Sequence, residues 1–194
     1  MKHALSAARI VTCDPARSSE ANPLGVVLDS AVVIEDGKIA AIVPRASLDG
    51  LIMHAGFGAL VITPGLVDAH THAAWAGSRH DEYAVKMAGG DYRDIAAAGG
   101  GIASSQRAVA ACSEADLAVE LAARVKRMAS LGVTTCEVKS GYGLEKHQEL
   151  KQLRAIACVA NRLDLPKIVP TLLALHALPK TITDRAAYGR AVLD

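Results

Sequence analysis

Two histidines one residue apart, His70 and His72, close the run ALVITPGLVDAHTH, and Asp68 precedes them at the same two-residue spacing. In an extended chain residues i, i+2 and i+4 point to one side, so both imidazoles and the carboxylate project toward a common point. Two neutral ring nitrogens at that separation can bind one transition metal ion. Two surface or capping histidines would have the same sequence, and the spacing alone does not choose. Their location adds weight, because polar residues that follow a buried strand at its C-terminal end sit where (β/α) barrels perform chemistry.

Further along, Arg79 offers a planar guanidinium fork suited to a carboxylate, with a solvated surface role as the alternative. Tyr142 lies between Gly141 and Gly143 just after a β-rich run, where the backbone can turn sharply and present a phenol inward or pack it over a rim. His176 follows a third apolar run and could stabilise charge on a carbonyl oxygen or hydrogen-bond a ring. Tyr92 could reach a carboxylate as well. Glu137 and Lys139 share a strand face and are read as a structural ion pair. The triple glycine 99–101 lacks a phosphate-loop pattern and reads as a flexible loop near the site. His3, His54, His80 and His147 have no partner spacing and read as surface or structural residues, while Asp68 reads as support for the strand end or for a ligand.

The elements that must position these side chains follow from periodicity. Asp36-Gly37 lies between the β-rich runs of Ala31 to Val43 and suits a type I′ hairpin turn. With the run around Ile10 it makes residues 1–60 a small β-rich unit. From residue 61 the rhythm changes. ALVITPGLVDAHTH reads as a parallel strand covered on both faces, with Pro64 at its entry. Ser113 and Asp116 form a capping box for a helix carrying Leu117, Leu121, Val125 and Met128, which stops at Gly132. Val133 to Val138 reads as a strand. A helix from about Leu144 to Arg162 follows, with Leu150, Leu153, Ala157 and Ala160 on one face, and Ile168 to Leu175 reads as a third strand. Strands and helices alternating in this way form either a doubly wound sheet or a barrel.

Composition narrows the classes of function. Of 194 residues 51% are hydrophobic, enough for a packed core. A formal charge of +1 supplies no field that would draw nucleic acid or an anionic membrane. No apolar stretch is long enough for a bilayer span. Cys13, Cys112, Cys136 and Cys158 form no C-x-x-C pair, and reduced thiols in a cytoplasm are the simpler reading.

ITPGLVDAHTH resembles the first barrel strand of the amidohydrolase superfamily. AGSR at 76–79, AGGGI at 98–102, EVKSGYG at 137–143 and LHA at 175–177 are similar, in order, to the imidazolonepropionase family, and EVKSGYG is the most specific piece. The resemblance implies an α/β fold: a (β/α)8 barrel of the TIM-like amidohydrolase type preceded by a composite β-sandwich unit. Residues 61–194 would then supply only the first three βα units, because a whole barrel takes about 250 residues. It further implies that His70 and His72 bind one metal ion, zinc or iron, and that Arg79, Tyr142 and His176 contact the substrate, with His176 also catalytic. The remaining ligands and the proton-handling acid would come from later strands. The implied reaction is metal-dependent hydrolysis of the cyclic amide 4-imidazolone-5-propanoate to N-formimino-L-glutamate in histidine degradation. A small-molecule substrate and a homodimer of the full-length enzyme are the implied partners, and this chain alone is expected to be inactive. A deaminase or cyclic-imide hydrolase of the same superfamily, or a non-catalytic fragment, are the alternatives.

Overall fold

Asp36 and Gly37 take φ of 51° and 75°, the left-handed values that a type I′ turn requires. They join β2 (Val26–Glu35) to β3 (Lys38–Pro44) as an antiparallel hairpin with Glu35 opposite Lys38. The computed structural model describes residues 2–48, 52–179 and 182–193, with residues 52–55 and 193 described by their main chain alone. The chain divides into two compact units, Met1–Pro64 and Gly65–Asp194.

In the first unit β1 (Lys2–Val11) pairs antiparallel with β2 and, along its other edge, parallel with β4 (Ile52–Gly56) and β5 (Val61–Ile62). Strand order is β3-β2-β1-β4, with β5 also on β1. Ala7, Ile10 and Val32 form the apolar cluster of this sheet, and Val27, Ile34, Ile42 and Ile62 pack against them. The described residues of the unit form this one sheet, rather than the two layers of a sandwich.

ALVITPGLVDAHTH is not one strand. Pro64 lacks the N–H a ladder needs and ends the pairing. Val61 and Ile62 therefore add to the first sheet opposite Arg9 and Ile10, and only β6 (Leu66–Asp68) belongs to the second. Gly65 lies so close to β7 (Val133–Lys139) that a Cβ there would fall 2.2 Å from Thr134 Oγ1. Nor is β6 covered on both faces: Leu66 and Val67, which point to opposite sides, are both exposed among the described residues.

The second unit is a three-stranded parallel sheet, β6-β7-β8, with β8 at Lys167–Thr171. Three short helices, α1 (His80–Met87), α2 (Tyr92–Ala97) and α3 (Ile102–Ala111), occupy the glycine-punctuated stretch after β6. α4 (Glu114–Ser130) forms as its sequence predicts: Ser113 Oγ accepts from Asp116 N at 3.0 Å, and Gly132 follows the helix with φ of 90°. Its Leu121 and Val125 meet Cys136 and Val138 of β7, Ile156 and Val159 of α5 (Lys146–Ala160), and Ile168 of β8. Each large apolar side chain fully buried here contributes about 1.5–3 kcal/mol.

Two expectations differ. The inward face of α5 is Glu149, Gln152, Ala155, Ile156 and Val159, whereas Leu150 and Ala157 are exposed. The helix is rotated because two of its polar side chains bond main-chain groups of neighbouring loops. The third strand ends at Thr171 rather than Leu175, because Ser140 bonds the chain beyond it: Ser140 N donates to Thr171 O and Leu173 N to Ser140 Oγ, both at 3.0 Å. α6 (Arg185–Leu193) closes the described chain. Among the described residues no helix is long and apolar enough to cross a membrane.

Candidate metal and substrate site

The two histidines stand just beyond β6. Asp68 ends the strand and its Oδ1 accepts from His70 N at 3.4 Å, a support for the strand end. Thr71 between the histidines is tied to β7: its Oγ1 donates to Glu137 O at 2.6 Å, and Lys139 N donates to Thr71 O at 3.0 Å. Ladder-like pairing thus continues past the strand, and the flanking imidazoles converge with ring centroids 5.8 Å apart.

Tyr142 and His176 come to the same place. The ring of His72 lies 5.3 Å from Tyr142 and 4.9 Å from His176, and the latter two are 5.9 Å apart. His176 arrives on a turn five residues after β8, with its N–H on Leu173 O at 3.1 Å, rather than directly after a strand. Gly141 permits that approach: its φ is 112°, and a Cβ would sit 3.3 Å from His176 Cβ.

Arg79 stands at the start of α1, where Nε and Nη2 both donate to Glu82 Oε2, at 2.7 and 2.5 Å. Glu82 Oε1 accepts from Gly101 N at 2.9 Å, so the pair also holds the glycine loop. Arg79 shares a cavity of about 180 Å³ with Tyr142, Trp75, Ala76 and Ser105. It also lines a second cavity with Tyr92 and Glu82. His70, His72 and Tyr142 line a larger cavity of about 560 Å³.

Charge follows from these surroundings. Burial lowers the pKa of His72, and the nearby His176, His70 and Lys139 lower it further, so the neutral ring is favoured. Its Nδ1 is buried with no hydrogen-bond partner among the described residues. A neutral imidazole with an orphaned nitrogen beside a second histidine fits a metal ligand. Among the described residues no group of three His, Cys, Asp or Glu side chains is close enough to complete such a site. Burial raises the pKa of Tyr142 against the opposing pull of Arg79, which keeps the phenol a neutral donor. The bond to Glu82 raises the pKa of Arg79 and keeps it cationic.

The ion pair expected on β7 forms, Lys139 Nζ donating to Glu137 Oε1, and Thr171 Oγ1 donates to the same carboxylate at 2.7 Å. Burial pushes the Glu137 carboxyl up, but the bonds from Lys139, Thr171 and Thr71 outweigh it and hold the group below its usual range. His80 bonds Ser78, and His147 Nε2 accepts from Gln148. His3 is half-buried, and the His54 side chain lies outside the described residues.

Sequence reasoning missed the residues that hold the site. Glu149 accepts from Gly141 N at 2.9 Å and Leu144 N at 2.6 Å. Gln152 accepts from Tyr142 N at 3.1 Å and donates to Ala74 O at 2.6 Å. Tyr188 Oη faces Leu144 O and Ala174 O, joining the Tyr142 and His176 loops. Arg124 donates to Ala73 O and Trp75 O while its guanidinium stacks 3.6 Å above the Trp75 ring. The available signals were weak: Glu82 lies three residues after Arg79, and Glu149 and Gln152 share a helix face.

No family model matches the chain. Its sequence is 42% identical over 171 residues to the imidazolonepropionase of Cupriavidus necator, covering 86% of this chain and 40% of that protein. The imidazolonepropionase of Brucella suis is 41% identical over 193 residues, covering 96% and 46%. The chain is a homologue of the imidazolonepropionases. It spans about 40–46% of the length of these curated relatives. E. coli guanine deaminase superposes with a TM-score of 0.59 at 16% identity, covering 96% of this chain and 40% of that one. The atrazine chlorohydrolase of Arthrobacter aurescens, in complex with zinc and atraton, gives 0.51 at 17%, covering 87% and 35%. These structures share the fold with this imidazolonepropionase homologue.

Proposed function

We propose that this chain forms the front part of an amidohydrolase-type (β/α) barrel enzyme that opens the ring of 4-imidazolone-5-propanoate to give N-formimino-L-glutamate. The observation that carries the reading is the convergence of His70, His72, Tyr142 and His176 around one another, with Arg79 across a shared cavity from Tyr142. The identity to imidazolonepropionases over most of the chain supports the choice of substrate.

His70 and His72 hold one divalent ion, and the zinc named for the atrazine chlorohydrolase supports zinc, with iron equally compatible with imidazole ligands. A bound ion would supply the Lewis acidity that makes water nucleophilic at neutral pH. Hydrolysis adds hydroxyl to the ring carbonyl carbon, breaks the adjacent C–N bond and leaves the proton on nitrogen. Arg79 pairs with the propionate carboxylate through the part of its fork that Glu82 leaves free. The neutral Tyr142 phenol donates to the imidazolone ring. His176 hydrogen-bonds the carbonyl oxygen and stabilises charge that develops there.

The test is ring opening by the purified intact enzyme, followed by loss of imidazolone absorbance and appearance of N-formimino-L-glutamate, with and without chelator. Metal-dependent turnover is the expected result. Turnover of a purine or an unsubstituted cyclic imide, with none of the propionate, would refute the substrate.

A further inference from the structure

One of the fully buried positions of helix α5 holds an amide. Gln152 is 0% exposed, although a leucine at this position would have no hydrogen-bonding demand. A buried amide is costly unless its donor and acceptor are both matched. Here both are matched, and neither partner lies in α5. Nε2 donates to Ala74 O at 2.6 Å, two residues after His72, and Oε1 accepts from Tyr142 N at 3.1 Å. One side chain therefore spans the loop that carries the histidines and the loop that carries the phenol. The histidine loop is held from its other side by Arg124, through the carbonyls of Ala73 and Trp75. Ala74 is thus fixed between two anchors, of which Gln152 is the one that also touches Tyr142.

We infer that Gln152 is a positioning residue that sets the spacing between the His72 imidazole and the Tyr142 phenol, whose ring centroids are 5.3 Å apart. The inference rests on the reading of His72 as a metal ligand and of Tyr142 as a substrate contact. A displacement of about 1 Å in such a pair can cost about a hundredfold in rate. Arg79 caps the start of α1 and takes part in neither bond, so its pairing with the carboxylate does not pass through Gln152.

The test replaces Gln152 in the intact, metal-reconstituted enzyme by Met, which keeps the size and removes both bonds, and by Asn, which is too short to span both loops. The solvent-facing Leu150→Ala on the same helix is the control. Gln152→Met is expected to keep full metal stoichiometry, to lose about tenfold or more in kcat with KM changed by less than about threefold, and to shift the visible bands of the cobalt(II)-substituted enzyme. Leu150→Ala should do none of these. Either an unchanged metal-normalised kcat or a cobalt spectrum superimposable on that of the unmutated enzyme would overturn the inference. Loss of soluble protein with both Met and Asn would overturn it too, in favour of a purely architectural role. Should the unmutated enzyme fail to open the imidazolone ring, the substrate reading falls while the cobalt spectra still decide the role of Gln152.

Discussion

Replacing Arg79 by Met removes the guanidinium and keeps most of the apolar stem. Glu82 already takes the bonds from Nε and Nη2, so a substrate carboxylate must use Nη1 and the outer hydrogen of Nη2. Charge-assisted bonds of this kind contribute about 1.5–3 kcal/mol each when water is excluded. The Arg79 side chain is 39% exposed. Solvent screening therefore reduces the two together to about 2 kcal/mol, or roughly a 30-fold rise in KM. Because the carboxylate is distant from the reacting carbonyl, the bond is equal in ground and transition states and kcat should hold within about twofold. Arg79→Lys retains charge but not the fork, and an intermediate rise of about tenfold in KM is expected. Steady-state ring opening and metal analysis on each variant provide the assay. A KM for Arg79→Met within about twofold of the unmutated enzyme, at unchanged metal content, would refute the assignment of the carboxylate to Arg79.

His70→Ala and His72→Ala should each lose bound metal and activity together, as read by elemental analysis beside turnover, because a coordination sphere missing one ligand exchanges its ion readily. Stoichiometric metal in the double variant would remove both residues from the site. Glu149→Gln turns an amino group toward one of two N–H donors that now meet carboxylate oxygens, and it should cost about 1–3 kcal/mol in urea denaturation. An unchanged midpoint would mean that the Gly141 and Leu144 bonds carry no stability. Leu121→Ala opens a cavity at the centre of the larger core and should cost about 2–5 kcal/mol in the same measurement, with a loss below about 1 kcal/mol showing that the core collapses onto the space.

Local signals proved the most legible. The Asp36-Gly37 turn and the Ser113 cap depend on residues within a few positions of each other, so their physics is complete in the sequence. The pair of histidines was legible for the same reason, since a spacing of two needs little besides an extended chain. Non-local determinants were not. Counting apolar residues along α5 selects Leu150, yet it is 44% exposed while Glu149 is 2% exposed. Glu149 is buried because Gly141 and Leu144 arrive from another loop to bond it, and helical periodicity carries no record of that arrival. The apolar run before His70 reads as continuous because hydropathy does not weigh a missing N–H, and Pro64 hands its two halves to different sheets. The sequence singles out Arg79 as a candidate but not Glu82, whose bond decides which edge of the guanidinium remains available.

Glu149 and Gln152 hold Gly141, Tyr142, Leu144 and Ala74 entirely by peptide N–H and C=O groups. Every amino acid except proline presents both groups, so these bonds read no side chain, although the backbone still selects glycine at 141, where φ is 112°, and at 143, where a Cβ would fall 2.3 Å from Glu149 N. Mutational drift at Tyr142 can then alter what the pocket recognises without dismantling its frame, whereas Ala74 is 0% exposed within the larger core. For a library aimed at new cyclic amides, Tyr142 is the loop position to randomise, with Ala74, Glu149 and Gln152 held fixed.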